Sequence, residues 1–413
     1  MILQSVTGLL FFILTAWFLS ENRRDFPVKI VISGMILQLI VGAVMLNSPM
    51  FRKIFISLNH IFLSLEESTM AGTSLVFGYL GGASLPFDEK NPGSAFVLAF
   101  RSLPIVLVMS ALSSLLFYWK ILPYTVKIFS KILQKTMGIG GAEGMGVAAN
   151  MFMGMVEAPL LIRPYLEKVT RSELFTIMTC GMATIAGTVM VLYATILDKI
   201  IPNIIGHILT ASIISLPAAI VVSKIMIPER DKPTSGDISS PNMNSSSMDA
   251  LAKGTVQGID LLINIIAMLI VLVAIVHLVN MTFSILPDIS GKPISLQRIM
   301  GILMAPVAWL MGIPWSESLT AGSLLGTKTI LNEFIAFIEL SNLSAGQLGD
   351  KNLIIMTYAL CGFANPGSLG IMIGGMGAMA PDRRDEITSL GIRSIIAGTI
   401  STCMTGAVVG ILY

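Results

Sequence analysis

Two carboxylates stand where a carboxylate is expensive to keep. Glu157 lies in Gly154-Met155-Val156-Glu157-Ala158-Pro159 and Glu333 in Leu331-Asn332-Glu333-Phe334, inside two apolar stretches at about 138–163 and 318–343. An acid at bilayer depth costs about 2.5–3.5 kcal/mol on insertion scales, so it survives there by facing a partner or a wet cavity. Each glutamate coincides with an interruption by Gly, Pro or Asn. One reading has both lining a solute cavity and accepting hydrogen bonds from it; the blander one is a helix cap or an ion pair, with Lys328 as the nearby cation. Four neutral oxygen-bearing side chains, Asn150, Thr184, Asn365 and Ser368, also flank helix breaks. They suit a Na+ ion that must be released every cycle, and serve equally well as helix–helix glue worth about 0.6 kcal/mol per bond. Spacing alone leaves both open.

Other chemistries find little support. The three cysteines and three histidines show no metal-ligand spacing, and no cofactor is expected. The hydrolase and protease signatures HExxH, Gly-x-Gly-Asp and Gly-x-Ser-x-Gly are absent. Gly322-Ser323-Leu324-Leu325-Gly326-Thr327-Lys328-Thr329 lacks the lysine directly after the second glycine that a phosphate-binding loop requires. A membrane-embedded enzyme or an ATP-driven pump is therefore disfavoured, and a passive channel would give paired buried acids no purpose. The formal charge of +2, with no basic patch, offers nothing to nucleic acid.

The elements that must hold these residues are membrane helices. The 413 residues are 54% hydrophobic and only 12% charged, against roughly 25% charged in soluble domains; mean hydropathy is +0.82. The expectation is an all-α integral membrane protein. Spans are expected at about 2–19, 28–47, 93–118, 172–196, 203–227, 255–284, 353–379 and 388–412. The first lacks a basic leader and a cleavage site, so it reads as a retained span. The two stretches bearing Glu157 and Glu333 read as re-entrant hairpins. Residues 296–314 are expected in the interface or partway across, and 48–80 as short amphipathic interfacial structure. The polar run 229–249 is a linker between two comparable halves. This gives an N-terminal scaffold at 1–90, a first repeat at 91–228, the linker at 229–252, a second repeat at 253–380 and a last span at 381–413.

Lys and Arg concentrate in loops near 23–29, 120–135, 163–171, 224–232 and 383–384, which become the cytoplasmic side. Both termini then lie outside, and the hairpins enter from opposite faces. Residues 180–188, CGMATIAGT, echo 361–368, CGFANPGS. The offsets are 361 − 180 = 181 for this pair and 333 − 157 = 176 for the glutamates. Interrupted segments repeated in opposite orientation are the sequence pointer to a transporter site at the bilayer midplane.

Over most of the chain after about residue 65, these segments resemble the concentrative nucleoside transporter family. The likeness runs through Gly72-Thr73-Ser74-Leu75-Val76-Phe77-Gly78, Phe100-Arg101-Ser102-Leu103-Pro104, Gly141-Ala142-Glu143 and Ala148-Ala149-Asn150-Met151-Phe152. It continues in Glu157-Ala158-Pro159-Leu160, Thr170-Arg171-Ser172-Glu173-Leu174-Phe175, Asn332-Glu333-Phe334 and Cys361-Gly362-Phe363-Ala364-Asn365. The resemblance implies a homotrimer in a plasma membrane, the inner membrane in a Gram-negative cell, working as an elevator. It implies contact of Gly154, Met155, Val156 and Glu157 with a nucleobase, contact of Glu333, Asn365 and Ser368 with ribose hydroxyls, and Phe363 in the pocket. It implies a Na+ site from the side chains of Asn150 and Thr184 and the carbonyls of Met153 and Ile185. The runner-up is a proton-coupled transporter of a non-standard nucleoside-like solute.

Two departures stand out. Met155 and Val156 replace the Gln and Thr, Ser or Asn common at the first tip, removing two hydrogen-bonding groups. Pro366 replaces an aromatic residue after Asn365, which leaves the geometry of that asparagine open.

Overall fold

Lipid offers no partner to a backbone N–H or C=O, so apolar runs of membrane length must satisfy those groups internally. In the computed structural model, residues 2–88, 95–155, 157–198, 200–234, 245–285, 287, 293–344 and 346–413 are described, and every regular element among them is helical. Val156 and the middle of the linker, residues 235–244, lie outside the described residues.

The chain begins with α1 (Ile2–Phe18) and α2 (Val28–Asn47). The loop between them is tied down by Glu21, which pairs with Arg171 at 2.9 Å and also with Arg393. Next, α3 (Pro49–Phe77) corrects an expectation. Residues 48–80 are not a short piece; they contain one continuous helix of 29 residues. No Pro or Gly interrupts residues 50–71, so nothing stops the helix once Pro49 has started it. The third span is α4 (Leu98–Arg101) followed by α5 (Ile105–Tyr118).

A second departure is α6 (Ile121–Met137), which sequence reading had treated as a cationic loop. Its buried residues Val126, Ser130, Leu133 and Met137 form one stripe at helical spacing, while Lys127, Lys131 and Lys135 face outward. The first hairpin follows as α7 (Gly141–Ala149), α8 (Glu157–Leu161) and α9 (Arg163–Leu166). Then come the broken span α10 (Arg171–Ala183) and α11 (Gly187–Leu197), and α12 (Ile204–Met226).

After the linker, α13 (Ser247–Phe283) runs for 37 residues. The next two helices, α14 (Leu296–Leu310) and α15 (Trp315–Ile330), form a pair bent by 120°. Residues 296–314 are therefore the outer arm of a folded-back unit, packed along the hairpin limb. The second hairpin is α15 with α16 (Glu333–Ser341). The second broken span is α17 (Asp350–Leu360) with α18 (Pro366–Met379), and α19 (Arg384–Leu412) closes the chain. Among the described residues, each of the eight expected spans contains one helix or a pair of helical segments.

The helices sort into a core and a rim. The α10–α11 pair and α12 are each 83% buried over a membrane-length window, and the segment containing α19 is 72% buried; α13 is 6% buried. Helix α13 lies along α5, where Gly254 and Gly258 meet Ser110, Ala111 and Leu107 too closely to admit a side chain. Small residues one turn apart let two membrane helices approach backbone to backbone. The result is an inner unit of hairpins and broken helices lying against an outer pair.

Candidate functional site

The hairpins turn over different lengths, residues 150–156 in the first and 331–332 in the second, yet place an acid at the same point. Glu157 is the first residue of α8 and Glu333 the first of α16, so each acid opens the returning limb of its hairpin. The unpaired N–H groups of a helix start carry partial positive charge and favour an anion there. In hairpin one the Glu157 carboxylate accepts from the Gly154 N–H. In hairpin two Asn332 caps the helix, its Oδ1 accepting from the Ile335 N–H at 2.9 Å.

The two broken spans supply the rest. Helix α10 ends at Ala183, Thr184 and Ala186 are extended, and α11 restarts at Gly187. Helix α17 ends at Leu360, and α18 restarts at Pro366 after the N-cap Asn365. The helix ends differ by 360 − 183 = 177 residues. That is the register of the glutamates, not of the cysteines: Cys180 lies inside its helix, whereas Cys361 follows the end of its own. The Cys-Gly match overstates the offset by about a helical turn.

Asn365 is held firmly. Its Oδ1 accepts from the Ser368 N–H at 2.8 Å, and its Nδ2 donates to Glu333 Oε2 at 2.9 Å. Pro366 therefore does not loosen the site. At the first position of a helix proline has no N–H to lose and its backbone angle is already helical. The other carboxylate oxygen, Glu333 Oε1, accepts from the Tyr193 hydroxyl at 2.6 Å.

These residues share one cavity of about 160 Å³. Its lining includes Gly154, Met155 and Glu157 from the first tip, Glu333 from the second, and Phe363, Asn365 and Ser368 from the second break. Val156, the remaining residue expected here, lies outside the described residues. Sequence reasoning missed Thr188, Tyr193 and Asn264, which also line the cavity. A signal existed: Asn264 is a lone amide in the apolar run 261–276 but for His277 just beyond it, and Tyr193 is a lone hydroxyl in Val189–Ala194. Around Asn264, helix α13 lines the cavity with the apolar side chains of Leu261, Ile265, Met268, Leu269 and Leu272.

The four residues expected around a cation lie beside this cavity on two adjoining segments. Asn150 ends α7; its Nδ2 donates to Gly146 O at 3.1 Å, while its Oδ1 is buried and has no hydrogen-bond partner. A methyl added to Gly181, in the last turn of α10, would come within 3.6 Å of that oxygen. Thr184 donates its hydroxyl to Cys180 O at 2.9 Å, which leaves the oxygen's lone pairs to accept. Met153 follows α7, and Ile185 is buried in the break after α10. An orphaned buried acceptor beside a helix C-terminus fits a monovalent cation held by neutral oxygens. Among the described residues no group of His, Cys, Asp or Glu could hold a metal ion. Lys328 pairs with neither acid. Its ammonium donates to Ala359 O at 2.8 Å and Thr402 Oγ1 at 2.9 Å.

Comparison with known proteins decides which family uses this arrangement. Residues 207–410 match the family described as the Na+ dependent nucleoside transporter C-terminus, and residues 7–80 match its N-terminal counterpart. The chain belongs to the concentrative, Na+-dependent nucleoside transporter family. Residues 99–199, which hold the first hairpin and first broken span, also match a domain described as nucleoside recognition. Nucleoside permease NupC of Helicobacter pylori is 33% identical over 99% of this chain and 97% of its own length. Human solute carrier family 28 member 3 is 34% identical over 99% of this chain and 60% of its own length. The structure of CNTnw in an inward-facing, substrate-bound state superposes with a TM-score of 0.90 at 33% identity, covering 100% of this chain and 98% of that one. Concentrative nucleoside transporters are transporters, not enzymes.

Proposed function

We propose that this chain imports a nucleoside, or another ribosyl-containing solute, coupled to Na+. The observation that carries the reading is the single cavity bounded by both glutamates. Glu333, Asn365 and Ser368 hold the ribose hydroxyls there, with Phe363 against the sugar or base. Gly154, Met155, Val156 and Glu157 meet the base. Glu333 is already oriented by Tyr193 and Asn365, so it accepts hydrogen bonds from a vicinal diol without reorganising. Na+ travels as co-substrate on Asn150, Thr184 and the carbonyls of Met153 and Ile185.

In this reading the hairpins and broken helices of residues 91–228 and 253–380 move as one unit against the outer helices, carrying the cavity from one membrane face to the other. The large difference in burial between the broken span α10–α11 and α13 supports that division. Residues 1–90 and the last span at 381–413 complete the protein around it, and 229–252 link the repeats. A homotrimer in the plasma membrane, with both termini outside, completes the proposal. Replacing Na+ by choline at constant pH is expected to abolish concentrative uptake into proteoliposomes. Uptake that persists in choline and follows a pH gradient would assign the coupling to protons instead.

A further inference from the structure

Lys328 is fully buried in the first limb of hairpin two, and no carboxylate among the described residues pairs with it. Glu333 acts on it through space but makes no direct pair, and a buried charge without a paired counter-ion is destabilising, so its surroundings must supply further compensation. They do so at the end of a half-helix. Ala359 belongs to the last turn of α17, whose terminal carbonyls lack intrahelical partners and carry partial negative charge.

The repeat gives this placement a meaning. The first limbs of the two hairpins, ending at Ala149 and Ile330, carry Asn150 and Lys328 within their last turns or caps, and the offset of 177 between the broken spans carries Thr184 to Cys361, two residues after Ala359. Lys328 therefore bridges, in the second half, the same two segments that flank the orphaned Asn150 oxygen in the first. One half has an acceptor with nothing to accept; the other has an ammonium already seated.

We propose that Lys328 is a tethered cation, occupying in the second repeat the position that the coupling Na+ takes in the first. The inference rests on the sodium reading above. It makes Lys328 a positioning residue: it fixes the end of α17, and through it the segment leading to Phe363 and Asn365. Because the tethered charge moves in and out with the protein, it adds nothing to net charge transfer. One free cation then suffices for each solute.

The test is uridine and adenosine uptake by proteoliposomes, with Na+ titration and charge-to-solute ratio. The wild type is expected to show a Hill coefficient of about 1 for Na+ and about one charge per solute. Lys328→Met, uncharged and of similar length, is expected to lose about tenfold or more in uptake rate, while Lys328→Arg retains it. Lys328→Ala, which vacates the position, is expected to transport at high Na+ with a Hill coefficient of about 2 and about two charges per solute. Wild-type rates in Lys328→Met overturn the proposal, as does a Lys328→Ala that stays inert or keeps single-site Na+ dependence. Should the variants not fold, the wild-type ratio decides: about one charge supports the proposal and about two overturns it. A wild type indifferent to Na+ would overturn the sodium reading and this inference together, whereas a sodium-dependent wild type with unaltered variants overturns the inference alone.

Discussion

The two hairpin tips share an architecture and differ in chemistry. Each begins its returning limb with a glutamate, yet Glu333 is held by the side chains of Tyr193 and Asn365, while Glu157 is held by the Gly154 backbone. Beside Glu333 the cavity is polar and preorganised; beside Glu157 it is lined by Met155. Preorganised acceptors suit a group common to every substrate, such as a ribose diol. An apolar tip supported by its own backbone can change side chains without disturbing a network. On the function proposed above, this difference would put selectivity among bases at the first tip and the shared requirement for ribose at the second.

The sharpest way to break this comparison is at the second tip. Glu333→Gln turns an acceptor of two hydrogen bonds into a group that must also donate, setting its amide against Tyr193 or Asn365. Uptake is expected to vanish while the protein stays in the membrane, and wild-type rates would remove Glu333 from the site. Glu157→Gln is expected to abolish uptake as well, read in the same assay. A smaller effect, of opposite sign, is expected at the first tip. Met155→Gln combined with Val156→Thr restores two hydrogen-bonding groups, each worth about 0.5–1.5 kcal/mol. Apparent affinity for uridine or adenosine should rise by about tenfold to a hundredfold, and an unchanged KM would show that the tip does not set selectivity. Smallest of all, Tyr193→Phe removes one buried hydrogen bond to Glu333 and is expected to weaken uptake by about tenfold or less. Its effect should be largest on solutes that carry both ribose hydroxyls.

Legibility of the sequence followed the strength of the physical constraint. Membrane spans were legible because lipid forces apolar length onto them, and the two acids because their burial demands a reason. Helix α6 was not, because its apolar stripe of Val126, Leu133 and Met137 is diluted by three lysines and by Thr125, Ser130, Gln134 and Thr136, which dominate a reading by composition. The length of α3 escaped because its mixed polar and apolar residues read as a short amphipathic segment, whereas only Pro or Gly would have ended the helix. Tyr193 stands out locally as a hydroxyl in an apolar run, but its partner Glu333 lies 140 positions away, which no local pattern encodes. Asn365 is the reverse case. Its place at a helix break is legible in the sequence, and Pro366 leaves that asparagine in place because the helix begins there.

One measurement tests the division of labour most directly: competition against sodium-driven nucleoside uptake in proteoliposomes, comparing analogues altered at the base with analogues lacking the 2′ and 3′ hydroxyls. The account predicts that losing the hydroxyls abolishes competition while changes to the base are comparatively well tolerated. Strong competition by a sugar stripped of both hydroxyls, with sharp rejection of altered bases, would contradict it.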